Sequence, residues 1–108
     1  MKLWVDDVRP APEGYIWAHT VNIAKHLINM SVLLTDKYMF ADKRYHIELI
    51  DIDHDAGDYA KDGGDYICLL DWLEETGRNY PIRIHSANPV GVQNMRTIIR
   101  KNGWKEVF

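Results

Sequence analysis

The order of apolar and polar positions along the chain switches between short unbroken apolar runs and stretches of helical period. Residues 2–6 form a run with almost no alternation, as strands of a parallel sheet do. Arg9-Pro10-Ala11-Pro12-Glu13-Gly14 is a rigid turn in which two prolines and a glycine leave no room for a helix. Tyr15-Ile16-Trp17-Ala18-His19 is β-prone and reads as a second strand. Thr20 caps a helix over about 21–30, with Val21, Ala24, Leu27 and Ile28 on one face. Residues 31–46 hold two apolar clusters, Val32-Leu33-Leu34 and Tyr38-Met39-Phe40, without a clean period, and read as an extension or inserted segment. A third apolar run, residues 47–52, leads into Asp53-His54-Asp55. Gly57 to Gly64 reads as a polar, acidic loop. A helix follows over about 65–76, its apolar face made by Tyr66, Ile67, Leu69, Leu70 and Leu73, with Gly77 as its stop. The fourth strand is 81–85. The last helix has Asn88 as N-cap, Pro89 at its first position, Val92, Met95, Ile98 and Ile99 as apolar positions, Arg100 and Lys101 in its final turn, and Gly103 beyond it. Trp104–Phe108 completes the pattern as a fifth strand.

Strands alternating with helices of this length require right-handed crossovers and a parallel sheet. The expected architecture is a three-layer α/β sandwich around a five-stranded parallel sheet, with the first helix shortened or absent. Residues 1–108 are expected to form a single domain, the size for one hydrophobic core.

Composition narrows the function classes. The net charge of −3 excludes a chain that coats extended duplex nucleic acid electrostatically, but not one that takes a small phosphorylated ligand or an RNA terminus at a local site. The lone Cys68 sits in an apolar helical stretch and reads as core; with no second cysteine, a reducing cytoplasm is the expected location. No apolar run approaches the length of a membrane span, and no export signal is visible, so no membrane partner is expected.

If the first, third and fourth runs are parallel strands, their polar endings lie side by side, in the crevice where open α/β sheets bind ligands. Asp6 and Asp7 are adjacent carboxylates at a buried strand end, a costly pair unless a cation neutralises them. Hard divalent ions, Mg²⁺ or Mn²⁺, take such carboxylates together with water and phosphate oxygens. Asp53 is the candidate third ligand, while Asp51 is open between a site and a structural role. The Asp58, Asp62, Asp65 loop lacks the spacing of a helix–loop–helix calcium site, and one cysteine without a His-x-x-x-His pair excludes the common zinc sites. His54 and His85 follow two neighbouring strands and are candidates for general acid and base across a phosphate, with their individual roles open. Ser86 and Asn88 precede a helix N-terminus, which attracts anions, and Arg9 can offer a bidentate phosphate contact. Trp4, Trp17, Trp72 and Trp104 lack basic interleaving and read as core and rim packing.

An acidic pair after strand one, Asp53 after strand three and Ser86-Ala87 after strand four resemble the response-regulator receiver domain, which is flavodoxin-like. That resemblance implies Mg²⁺ held by Asp6, Asp7 and Asp53, a phosphoryl acceptor at Asp53, and a hydroxyl contact from Ser86. The Lys-Pro expected after strand five is missing. Apart from residues 31–46, the chain more closely resembles the receiver-like family of cyclic-phosphate processing domains. The resemblance is carried by Leu3-Trp4-Val5-Asp6-Asp7-Val8-Arg9-Pro10-Ala11-Pro12-Glu13-Gly14, Asp53-His54-Asp55-Ala56-Gly57, and His85-Ser86-Ala87-Asn88-Pro89-Val90-Gly91 followed by Asn94-Met95. Ala56 stands where that family more often has leucine. The resemblance implies a metal-assisted phosphodiesterase acting on a cyclic phosphate of a nucleotide or RNA end. In that reading His54 and His85 exchange protons, and Ser86, Arg9 and Asn88 support the phosphate. The alternative is a signalling module that accepts or binds a phosphoryl group at Asp53 without hydrolysis.

Overall fold

The computed structural model describes residues 1–37 and 45–108. Five strands form one sheet: β1 (Lys2–Val5), β2 (Tyr15–Ala18), β3 (Leu49–Ile52), β4 (Ile82–Ile84) and β5 (Glu106–Val107). They lie in the order β2-β1-β3-β4-β5, and every neighbouring pair is parallel. Three α-helices connect them: α1 (Val21–Lys37), α2 (Ile67–Glu75) and α3 (Pro89–Lys101), with a 3₁₀ helix at Gly57–Asp62. This is the receiver-like α/β arrangement expected from the pattern, without a helix between β1 and β2.

The order of the strands decides where the helices go. From β2 to β3, β3 to β4 and β4 to β5 the chain steps across the sheet in one direction, so right-handed crossovers place α1, α2 and α3 on the same face. Leu3, Val5, Ile50, Ile52 and Ile82 meet them there and are fully buried, together with Val21, Ala24 and Ile28 of α1, Leu69, Leu70 and Leu73 of α2, and Met95 and Ile99 of α3. The step from β1 to β2 runs the other way, through Asp6–Gly14, which is shorter than the dozen or so residues an ordinary parallel crossover needs. That segment lies against Trp4, whose indole N–H donates to the Arg9 carbonyl at 2.8 Å. It takes the place of a first helix.

The caps formed as the sequence requires. Thr20 Oγ1 accepts the Ile23 amide at 2.9 Å, Asn88 Oδ1 accepts the Gly91 amide at 3.0 Å, and Gly77 and Gly103 both take φ +66° just past their helices. One boundary moved. The helix expected over 21–30 continues to Lys37, so residues 31–37 of the segment read as an insertion are helical. Ser31 is buried, and its hydroxyl donates back to the Ile28 carbonyl at 2.9 Å, satisfying a polar group that would otherwise end the apolar face. Residues 38–44, the remainder of that expectation apart from the strand approach at 45–46, lie outside the described residues. Strand three begins at Leu49 rather than Ile47, although Ile47 is buried.

Candidate functional site

The parallel register sets three strand ends level. Val5 pairs with Ile52, which pairs with Ile84, so Asp6, Asp53 and His85 each follow at the same height. The ladder continues one step past the strands: the Asp53 amide donates to the Val5 carbonyl and the His85 amide to the Ile52 carbonyl, both at 2.9 Å. Carboxylate oxygens of Asp6 and Asp53 and a ring nitrogen of His85 all lie within 4.8 Å of one another.

Asp6 is fully buried and held by both oxygens. Oδ1 accepts the amides of Arg9 at 2.9 Å and Val8 at 3.0 Å, and Oδ2 faces His85 Nε2 at 2.8 Å. Burial alone would raise its pKa, but the Arg9 amide, His85 and the Val8 amide outweigh it and hold the carboxyl below its usual range. The other ring nitrogen of His85, Nδ1, faces Asp51 Oδ1 at 2.6 Å. Two flanking carboxylates favour the doubly protonated imidazole. Burial opposes that charge, yet hydrogen bonds to Asp51 and Asp6 push the His85 pKa upward. Trp4 covers the ring in a parallel stack, 3.8 Å between centroids. Asp51, also fully buried, takes Arg83 at 3.1 Å and the Tyr15 hydroxyl at 3.4 Å on its second oxygen. Sequence reasoning left Asp51 open and assigned Trp4 to packing; both proved to hold His85. The signal for it was the strand period, since Trp4, Asp51 and Arg83 share one register row.

Asp7 stands beside these acids. Burial raises its pKa, and Asp6 and Asp53 raise it further by charge repulsion. Its Oδ2 comes within 2.7 Å of where a Cβ on Gly57 would sit, so Gly57, at φ +55°, is a position where both space and backbone require glycine. Asp53 Oδ1 accepts the His54 amide at 2.8 Å, and Oδ2 accepts no hydrogen bond among the described residues. Asp6, Asp53 and His85 thus form an Asp/His group that could hold a metal ion, with the Asp7 carboxylate next to it but outside the converging set.

His54 follows Asp53 in the chain. Its Nδ1 pairs with Asp55 Oδ1 at 2.8 Å, and this bond keeps the Asp55 carboxyl below its usual pKa. The ring lies flat on the first turn of α3, where a Cβ at Gly91 would come within 2.4 Å of His54 Cγ. Asn88 joins the two parts: Oδ1 caps the helix, and Nδ2 reaches Asp55 Oδ2 at 3.4 Å. Ser86 Oγ accepts the Asn88 amide at 3.1 Å and shapes the entry to α3. Arg9 is exposed, and its guanidinium reaches across the crevice to the His85 carbonyl at 3.4 Å. Asp55 and Gly91, which sequence reasoning gave no role at the site, thus position His54.

Among curated proteins and among solved structures, none matches this chain. A family description does. Residues 1–101 match the cyclic-phosphate processing receiver domain. The match spans nearly the whole chain, and the chain belongs to the family of cyclic-phosphate processing receiver domains.

Proposed function

We propose that the chain hydrolyses a cyclic phosphate of a nucleotide or RNA end with the help of a divalent cation. The observation that carries this reading is the convergence of Asp6, Asp53 and His85 within 4.8 Å, with the separately oriented His54–Asp55 pair beside them. Asp6, Asp7 and Asp53 are the residues that would hold Mg²⁺ or Mn²⁺. Such an ion supplies charge neutralisation at a phosphoryl oxygen and lowers the pKa of water.

The chain's own groups divide the remaining work. His85, with both nitrogens engaged by carboxylates, is a fixed cation that orients Asp6 and balances the buried acids. His54 has Nδ1 committed to Asp55, which fixes its tautomer and leaves Nε2 for proton transfer. This geometry favours His54 over His85 as the group that moves a proton between the attacking water and the leaving ribose oxygen. Arg9, whose guanidinium reaches the His85 carbonyl, and the backbone around Ser86 would stabilise charge on the phosphoryl oxygens.

A panel of cyclic nucleotides incubated with the protein and Mg²⁺, followed by phosphorus NMR, tests the reading. Ring opening is expected for at least one member, and His54→Ala is expected to slow it by about 10²–10⁴-fold. A folded His54→Ala variant of full activity contradicts the mechanism. The second reading, phosphoryl transfer to Asp53, is favoured by one observation, an Oδ2 that accepts no hydrogen bond among the described residues. Brief exposure to acetyl phosphate separates the two: a stable gain of one phosphoryl group at Asp53, with no ring opening in the panel, supports the receiver reading.

A further inference from the structure

Three aromatic rings beside the acidic crevice take no part in the reaction described above. Trp17 stacks on His19 with centroids 4.2 Å apart and planes 23° from parallel, and His19 meets Tyr59 at 5.4 Å and 46°. The row is tied to the site at both ends. The Trp17 indole N–H donates to the Asp6 carbonyl at 2.8 Å, and Tyr59 follows Gly57, the residue against Asp7, in the same 3₁₀ helix. The buried Tyr66 hydroxyl donates to the His19 carbonyl at 2.7 Å and holds the backbone that carries the middle ring.

These rings are not core. Trp17 and His19 are half-buried, and Tyr59, the outermost, is 37 % exposed. Packing alone gives no reason to leave an aromatic ring at the lip of a polar crevice with two further rings behind it. A partly exposed tyrosine ring in tilted contact with the His19 of a stacked Trp17–His19 pair, next to a phosphate site, is suited to a nucleobase, because every base offers a π face and stacking requires no specific hydrogen bonds. The phosphate and the base of one nucleoside unit would then occupy adjoining parts of the same crevice.

We infer that Tyr59, backed by His19 and Trp17, is the stacking platform for the base of the substrate. The base of the nucleoside cyclic phosphate named above is then itself a recognised part of the substrate, held at Tyr59, and the phosphate ring alone does not account for binding. This inference rests on the cyclic-phosphate reading and deepens it.

Phosphorus NMR titrations in Mg²⁺ test it, with the ribose-bridging cyclic phosphate of adenosine set against ethylene phosphate, a five-membered ring without a base. The adenosine compound is expected to bind roughly 10- to 100-fold more tightly, the range of a single stacked base. Tyr59→Ser is expected to remove that advantage and Tyr59→Phe to keep it, both leaving ethylene phosphate affinity unchanged. Equal binding of the two compounds, or an advantage that survives Tyr59→Ser, overturns the platform and leaves the cyclic-phosphate reading standing. Absence of binding by both compounds overturns that reading, and the platform with it.

Discussion

His85 is held from three sides, by Asp6, Asp51 and the face of Trp4, and its charge is as much part of the fold as of the site. Removing it by His85→Ala leaves the fully buried Asp6 without its cation and Asp51 with Arg83 as its remaining cation, a change expected to cost about 3–5 kcal/mol in urea denaturation. The pH dependence has a definite sign. A histidine whose pKa is raised on folding contributes stability that is complete below its unfolded value, near 6.5, and is lost as pH rises through the higher folded value. Asp6, lowered on folding, contributes stability present above its unfolded value, near 3.8, and lost as pH falls through the lower folded one. Asp7, raised by burial and by its acidic neighbours, works against Asp6 over the acid range, so the alkaline side carries the cleaner signal. Without added metal, the urea midpoint is expected to fall as pH rises above about 6.5, and His85→Gln is expected to flatten that fall. An unchanged alkaline slope in His85→Gln contradicts the assignment of charge to this ring. None of this was readable from the residue types alone. Two histidines after two strands look equivalent in sequence; only the register that faces Asp51 toward His85 clamps it between two carboxylates, while His54 pairs with Asp55 through one nitrogen.

At the level of elements, the N-terminus of α3 does more than end a loop. Gly91 sits where a methyl group would strike the His54 ring, while Asn88 binds both the helix and Asp55. Gly91→Ala therefore sets helix propensity against packing. Alanine favours the helix by about 1 kcal/mol, and overpacking against a ring atom costs about 1–3 kcal/mol, so a net loss of about 1 kcal/mol is expected, with hydrolysis falling by more than the stability change explains. A more stable and fully active variant contradicts this packing. The element itself was legible: Asn88, Pro89 and Gly103 carry local signals strong enough to fix both ends of α3. The far end of α1 was not, because Val32-Leu33-Leu34 breaks the apolar period while Ser31 hides its hydroxyl in the helix's own backbone. The glycine that seats His54 was also invisible, since nothing in the local sequence distinguishes a helix glycine that admits a ring from one that is only tolerated.

At the scale of the whole molecule, the sheet order brings β1, β3 and β4 together at its centre, so residues far apart in the chain meet at one edge. That much follows from the sequence pattern, because three buried runs each end in acids or imidazoles and parallel pairing leaves them nowhere else to meet. The helices on one face and the Asp6–Gly14 segment on the other make this edge the natural crevice. On this reading the strand ends build one cation site able to serve phosphate chemistry. Calorimetric titration of Mn²⁺ into the wild-type chain, Asp53→Asn and Asp7→Asn tests it most directly. A single saturable binding event is expected in the wild type, weakened at least tenfold in each variant while circular dichroism shows the fold retained. Equal Mn²⁺ affinity in all three proteins, or no binding by the wild type, contradicts the claim.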